Sequence, residues 1–363
     1  MKQILMNKHI AMKNLKTQGF VLLDVDVVAL NNAGKSNSTL NENGVATKTI
    51  TKNGRTYAYV SGQAWRYWWR EALQKNCDWK LSPVIRDSKI AYTNADPITY
   101  PDDDVFGYMR AATEIVTDSK GKEKKENITV TRISPLKNSA IVSVAAVTVA
   151  ENWSSMARQE GDAVPYSKQE YSAVMKGMFS LDLNMIGTFS NYNRTGYMNL
   201  SAALKKEAME KGATEIDDPF ICNQKLIRLD QAVRIQRAVD TVKALKYIAG
   251  GAMQTDNLGD VTPKFIILAT TNTGNHPFSH VASSTGGYDK IAKLNVAGIA
   301  EVIEDYRETF VGKIFIGKRS GFWNEEDEAL KNLADQFKDL VVMGTVNEAI
   351  DAYCEQMKNQ LGE

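Results

Sequence analysis

The sequence predicts an α+β fold, a ferredoxin-like core interrupted by two insertions. Three observations carry that expectation. Stretches with strand and helix patterning alternate along the 363-residue chain. Two segments, about 79–174 and 191–228, lose regular period and turn polar, as insertions do. No internal repeat is present, and 43% hydrophobic with 24% charged residues is an ordinary globular balance.

Taken in order, Phe20 to Ala29 is rich in β-branched residues and partly alternates, so it reads as a strand. It ends in a polar loop, Asn31-Asn32-Ala33-Gly34-Lys35-Ser36-Asn37-Ser38, with turn chemistry. Asn53-Gly54 then marks a hairpin between Thr47–Thr51 and Tyr57–Val60. Ser61 opens a helix running to about Gln74. The first insertion holds Pro83, Pro97, Pro101 and Pro135, strand-like stretches at Asn127–Ile133 and Ala140–Thr148, and a charged tip at Lys120–Glu126. Phe179 to Phe189 alternates as a core strand. Leu229 to Ala249 follows the second insertion as a long helix, with Ala232, Val233, Val239, Val242 and Leu245 at helical spacing and Gly250-Gly251 as its stop. Pro263 to Thr270 is a strand, and the last third alternates helix, strand (Lys313–Ile316) and helix.

Composition also removes several function classes. No apolar run approaches the roughly 20 residues that span a bilayer, and Met1–Phe20 lacks a signal-peptide core, so a cytoplasmic protein without membrane contact is expected. Cys77, Cys222 and Cys354 lie far apart with no C-x-x-C pair, which argues against a disulfide framework or a zinc knuckle. Pro277 between His276 and His280 argues against a helix offering both to a metal. Neither a metal nor a cofactor is expected. Net charge is only +1, so any phosphate-binding surface must be local and balanced by acidic surface elsewhere.

The helix after Ser61 is the most informative stretch. Ser61 suits an N-cap. At about 100° per residue, Gln63, Arg66 and Arg70 share a narrow arc, while Trp65, Trp68, Trp69, Ala72 and Leu73 lie on the other side. The plain reading is an amphipathic helix with solvated arginines. The sharper reading is a phosphate grip: helix-start amides and dipole, extended along one line by two guanidiniums. The acidic run Asp102–Asp104 reads as loop or inter-subunit surface. An alternative function is a metal-dependent ribonuclease using Asp24, Asp26 or Asp102–Asp104. A plain assembly protein contacting only other proteins is a third.

Five stretches carry a resemblance. They are Leu30–Asn37, Val60–Tyr67, Asp103–Met109, Phe179–Leu183, and Ala249–Gln254 with Asp260–Phe265. In these, in order, the chain resembles the DevR-like backbone subunit of type I-B CRISPR Cascade, in the RAMP superfamily. The resemblance implies an RNA-recognition-motif-like palm from 1–78, 175–190 and 229–363. A finger insertion at 79–174 and a thumb insertion at 191–228 complete it. It further implies a non-catalytic subunit that stacks with copies of itself along a guide RNA (crRNA), beside other Cascade subunits, and presents that guide to target DNA. The implied RNA contacts are Ser61, Gln63, Arg66 and Arg70 at the helix, Lys35 and Asn37 in the first loop, Arg132 in the finger, and Gly250 and Gly251 in the glycine turn. Without the resemblance, that glycine pair is an ordinary helix stop, and Lys35 and Arg132 are ordinary surface charges.

Overall fold

In a computed structural model the residues described are 14–34, 39, 44–87, 90–117, 123–156, 160–192, 194, 196–287 and 290–362. Lys35, Asn37 and part of the Lys120–Glu126 tip lie outside them.

Strand β1, Lys16–Val28, sits at the centre of a ten-stranded sheet. A hairpin of β2 (Thr49–Lys52) and β3 (Arg55–Val60) follows. Its turn residues Asn53 and Gly54 both take positive φ, 50° and 73°, as a tight two-residue hairpin of matching twist requires. After helix α1, Gly62–Asn76, come the short α2 (Pro101–Phe106) and the antiparallel pair β4 (Tyr108–Thr117) and β5 (Glu123–Arg132). The chain returns to the sheet in β6 (Leu136–Asn138), β7 (Ile141–Ser143) and the long β8 (Val164–Asp182). A separate three-stranded sheet follows, made of β9 (Thr188–Ser190), β10 (Thr214–Asp217) and β11 (Lys225–Arg228). Helix α3 is Gln231–Lys243 and β12 is Phe265–Thr271. Helix α4 (Val296–Asp305), β13 (Phe310–Lys318), helix α5 (Asp327–Gln336), β14 (Val341–Gly344) and helix α6 (Val346–Gly362) complete the chain.

Strand order across the large sheet is β14-β13-β12-β1-β8-β7-β3-β2, with β6 and the strand Ala150–Met156 also paired to β8. β1 is antiparallel to both β8 and β12, and only β13–β14 is parallel among its named neighbours. Alternate side chains of β1 feed two cores. Val21, Leu23 and Val25 join Trp65, Trp69, Phe179, Val242 and Tyr353 under α1, α3 and α6. Phe20 and Leu22 join Phe278, Ile299, Ile303, Ile316 and Leu330 under α4 and α5. Burial on both faces explains why β1 reads as a nearly unbroken apolar run rather than a clean alternation.

Several boundaries differ from expectation for local reasons. The strand expected over Phe179–Phe189 is the end of β8, a turn, and then β9; Gly187 in that turn has φ 60°. Of Ala140–Thr148, only Ile141–Ser143 pairs regularly. The helix expected to reach Ala249 ends at Lys243 and tightens into a short 3-10 turn, Ala244–Lys246. Among the described residues no helix is long and apolar enough to cross a membrane.

Candidate nucleic-acid interface

One corner of the large sheet gathers the exit of β1, the start of α1 and the glycine turn after α3. Asn31 joins the first two: its Oδ1 accepts the Ser61 amide at 3.1 Å, and its carbonyl accepts the Lys48 amide at 2.6 Å. Leu30 joins the third, its carbonyl accepting the Ala252 amide at 3.0 Å beside an Ala29–Ala252 bridge. Ser61 is the N-cap as expected, its Oγ accepting from the Ala64 amide at 3.2 Å. Gln63 is exposed, and so are Asn32 to Gly34, which follow Asn31.

Gly250 and Gly251 belong to this corner, and the structure supplies a packing reason for each. A Cβ on Gly250 would overlap the Trp68 indole, and Gly251 has φ 113° with Leu30 against it. Both remain half-exposed, so the same close packing that requires glycine also leaves bare backbone at the surface.

The arginines of α1 do not form the expected outward pole. The helix face opposite the tryptophans is covered by the segment from α2 to β6, and its arginines anchor that segment. Arg66 donates to the carbonyls of Leu136 (2.7 Å) and Phe106 (2.6 Å), to Asn138 Oδ1 (3.1 Å) and to Ser134 Oγ (3.0 Å). Burial, and then the neighbouring Arg70 charge, lower its pKa to about 10. Arg70 pairs with Asp102 at 2.5 Å, and Asp102 also takes the Ser82 amide at 2.8 Å. Arg132 needs the clearest correction. It is not a finger-surface contact: its side chain is fully enclosed, paired with Asp104, and donates to the carbonyls of Thr188 (3.0 Å) and Met185 (2.6 Å).

The acidic run is likewise neither loop nor outer surface. Asp102, Asp103 and Asp104 lie in α2, each at most 2% exposed. Asp104 is the hub. Beyond Arg132 it holds Arg237 of α3 at 2.7 Å and the Gly187 amide at 2.8 Å. Burial raises the Asp103 pKa, against hydrogen bonds that include the Asp96 amide at 2.9 Å. All three carboxylates are turned inward to protein donors, which leaves none presented to a substrate. Among the described residues no cluster of three or more His, Cys, Asp or Glu is arranged to hold a metal ion. Arg237 escaped the sequence reading, which took Asn31 only as part of the polar loop after the first strand. Arg237 is buried in α3 together with Arg234 and Asp240, a polar set within the buried side of the helix that its apolar spacing does not reveal.

The sheet face away from α1 is closed over β1. Phe20 and Leu22 are wholly buried beneath Phe278 and α4, so no base can stack on them.

Together these features define an α+β protein with one mixed sheet packed by helices on both faces and a glycine-backed polar corner. A solved chain titled "CRISPR RNA-guided surveillance complex" has this fold, at TM-score 0.51 and 9% identity, with 94% of this chain and 99% of that one covered. A second, titled "CRISPR RNA-guided surveillance complex, pre-nicking", aligns at TM-score 0.48 and 10% identity over the same shares. Residues 21–292 match the family described as "CRISPR-associated negative auto-regulator DevR/Csa2". The chain belongs to the DevR/Csa2 family. No curated protein matches the sequence.

Proposed function

We propose that this chain is a non-catalytic subunit of a CRISPR surveillance complex that binds guide RNA (crRNA) by its sugar–phosphate backbone. Copies stack along the guide beside the other Cascade subunits, in the cytoplasm, and leave its bases free to pair with target DNA. The observation that carries the reading is the corner itself. A helix start with Ser61 half-buried and Gln63 exposed meets half-exposed glycine backbone (Gly250, Gly251) where β1 exits, while the sheet face that could stack bases is sealed. Such a surface suits phosphates and ribose rather than base edges, so specificity falls to base pairing. Lys35 and Asn37, which follow Gly34 in the sequence, are proposed to add a cation and an amide to the contact.

A ferredoxin-like palm of RNA-recognition-motif type is supported by the order β12-β1-β8-β6/β7 with α1 and α3 on one face. We assign the palm to 1–78, 175–190 and 229–363, the finger to 79–174 and the thumb to 191–228. Membership of the DevR/Csa2 family and the inward-turned carboxylates of α2 support the non-catalytic role.

The test is binding of the full chain to two labelled single-stranded RNAs of unrelated sequence across a salt series. Equal affinities with a steep fall as salt rises are expected, since neutralised phosphates release counterions. Strong preference for one sequence, or no binding by the assembled complex, overturns the reading. Cleavage of target RNA in Mg²⁺ or Mn²⁺ that is lost on an Asp24→Ala or Asp26→Ala change would return the ribonuclease alternative.

A further inference from the structure

Strain in the backbone is concentrated at the same corner. Among the described residues eight non-glycine positions have positive φ, and three of these are Asn or Asp, which tolerate it. Of the other five, Val27, Met253 and Leu258 lie on two touching segments. Val27 sits where the β1–β8 register shifts, and a Cβ on Gly259 would come 3.0 Å from Val28.

Leu258 is the most telling of the three. Its φ and ψ are 46° and 47° at the end of the short helix Gln254–Asn257, the left-handed position that glycine ordinarily takes. Glycine stands one residue later, at Gly259, so a shift of one position would remove the strain. The turn is instead pinned as it is. The Leu258 amide donates to the Gln254 carbonyl at 3.0 Å, and Gln254 Nε2 reaches the carbonyls of both Gly250 and Gly259. Nor does packing compensate, because Leu258 is 86% exposed. A branched aliphatic side chain held outward at an energetic cost, without burial in the core to offset it, points to a ligand outside the chain.

We propose that Leu258 is an apolar wedge that packs against the guide strand beside the Gly250–Gly251 turn, between a sugar and the face of an unstacked base. This rests on the RNA-binding reading above. Aliphatic wedges act on nucleic acid through shape and unstacking rather than hydrogen bonds, so the contact is blind to sequence. Continuity with the polar corner favours RNA over a second copy of the chain as the occupant.

Leu258→Gly separates strain from function. It permits the observed φ and removes the side chain, so the melting temperature should rise by about 2 °C while affinity for single-stranded RNA falls about tenfold, alike for unrelated sequences. Leu258→Met keeps both strain and apolar reach and should bind as the unmodified chain does. Unchanged RNA affinity in Leu258→Gly overturns the wedge, as does a lowered melting temperature. Loss of copy-to-copy assembly with RNA affinity intact also overturns it and transfers the residue to a protein contact. If the unmodified chain itself binds no RNA, the underlying reading fails; if it binds and Leu258→Gly binds equally, the wedge alone fails.

Discussion

The two ends of helix α1 serve opposite purposes. Its first turn presents Gln63 to solvent, at the corner that also holds exposed loop residues and half-exposed glycine backbone. One and two turns further on, Arg66 and Arg70 point into a polar interior centred on α2. Residue type alone would reverse this assignment, giving the guanidiniums to the ligand and the small residues to the scaffold. The difference teaches that position relative to the inserted segment, not charge, decides which groups are free to bind. A cation with four internal acceptors has little to offer a phosphate.

The largest effect that would test this contrast comes from Asp104→Ala. It leaves Arg132 and Arg237 buried without their shared carboxylate, and denaturant unfolding should show a loss of about 3–5 kcal/mol. A loss under about 1 kcal/mol, the usual range of a surface pair, would mean that α2 is not a structural hub.

Arg66→Ala comes next. It strands two carbonyls and two side-chain partners in the segment from α2 to β6, for an expected loss of about 2 kcal/mol. Under conditions where that variant remains folded, RNA affinity should stay within about twofold of the unmodified chain, a difference under 0.5 kcal/mol. A selective loss of RNA binding at full stability would restore Arg66 to the interface.

Gly250→Ala should cost about 1–3 kcal/mol, because the new methyl group must displace the Trp68 ring. Thermal melting reads this directly, and a neutral result would show that the turn relaxes away from the helix.

The smallest change in stability, and the sharpest for function, is Gln63→Ala. Its exposed side chain makes the substitution neutral to within about 0.5 kcal/mol. RNA affinity should nonetheless fall, measurably and to the same degree for unrelated strands. Intact binding would move the interface away from the helix start.

Much of the fold was legible because local chemistry and burial agree. The Asn53-Gly54 hairpin, the Ser61 cap, the tryptophan wedge and the core strands at Phe20 and Phe265 all sit where pattern places them. The candidate corner was legible in part. Ser61 and Gln63 stand at an exposed helix start, and Gly250 and Gly251 stand beside it. Asn31, which fastens the corner together, carries no pattern of its own.

What the sequence determined by itself was the alternation of elements and the wedge of α1, since both follow from spacing between near neighbours. The tertiary structure alone decided the fate of the charges. Arg66 meets Leu136 seventy residues away, and Arg132 of β5 and Arg237 of α3 meet on Asp104. A guanidinium reads identically in water or in an interior, because its charge does not reveal its partner. Only the long-range closure of the chain places a carboxylate or a carbonyl within reach, and that closure is what separates an anchor from a grip.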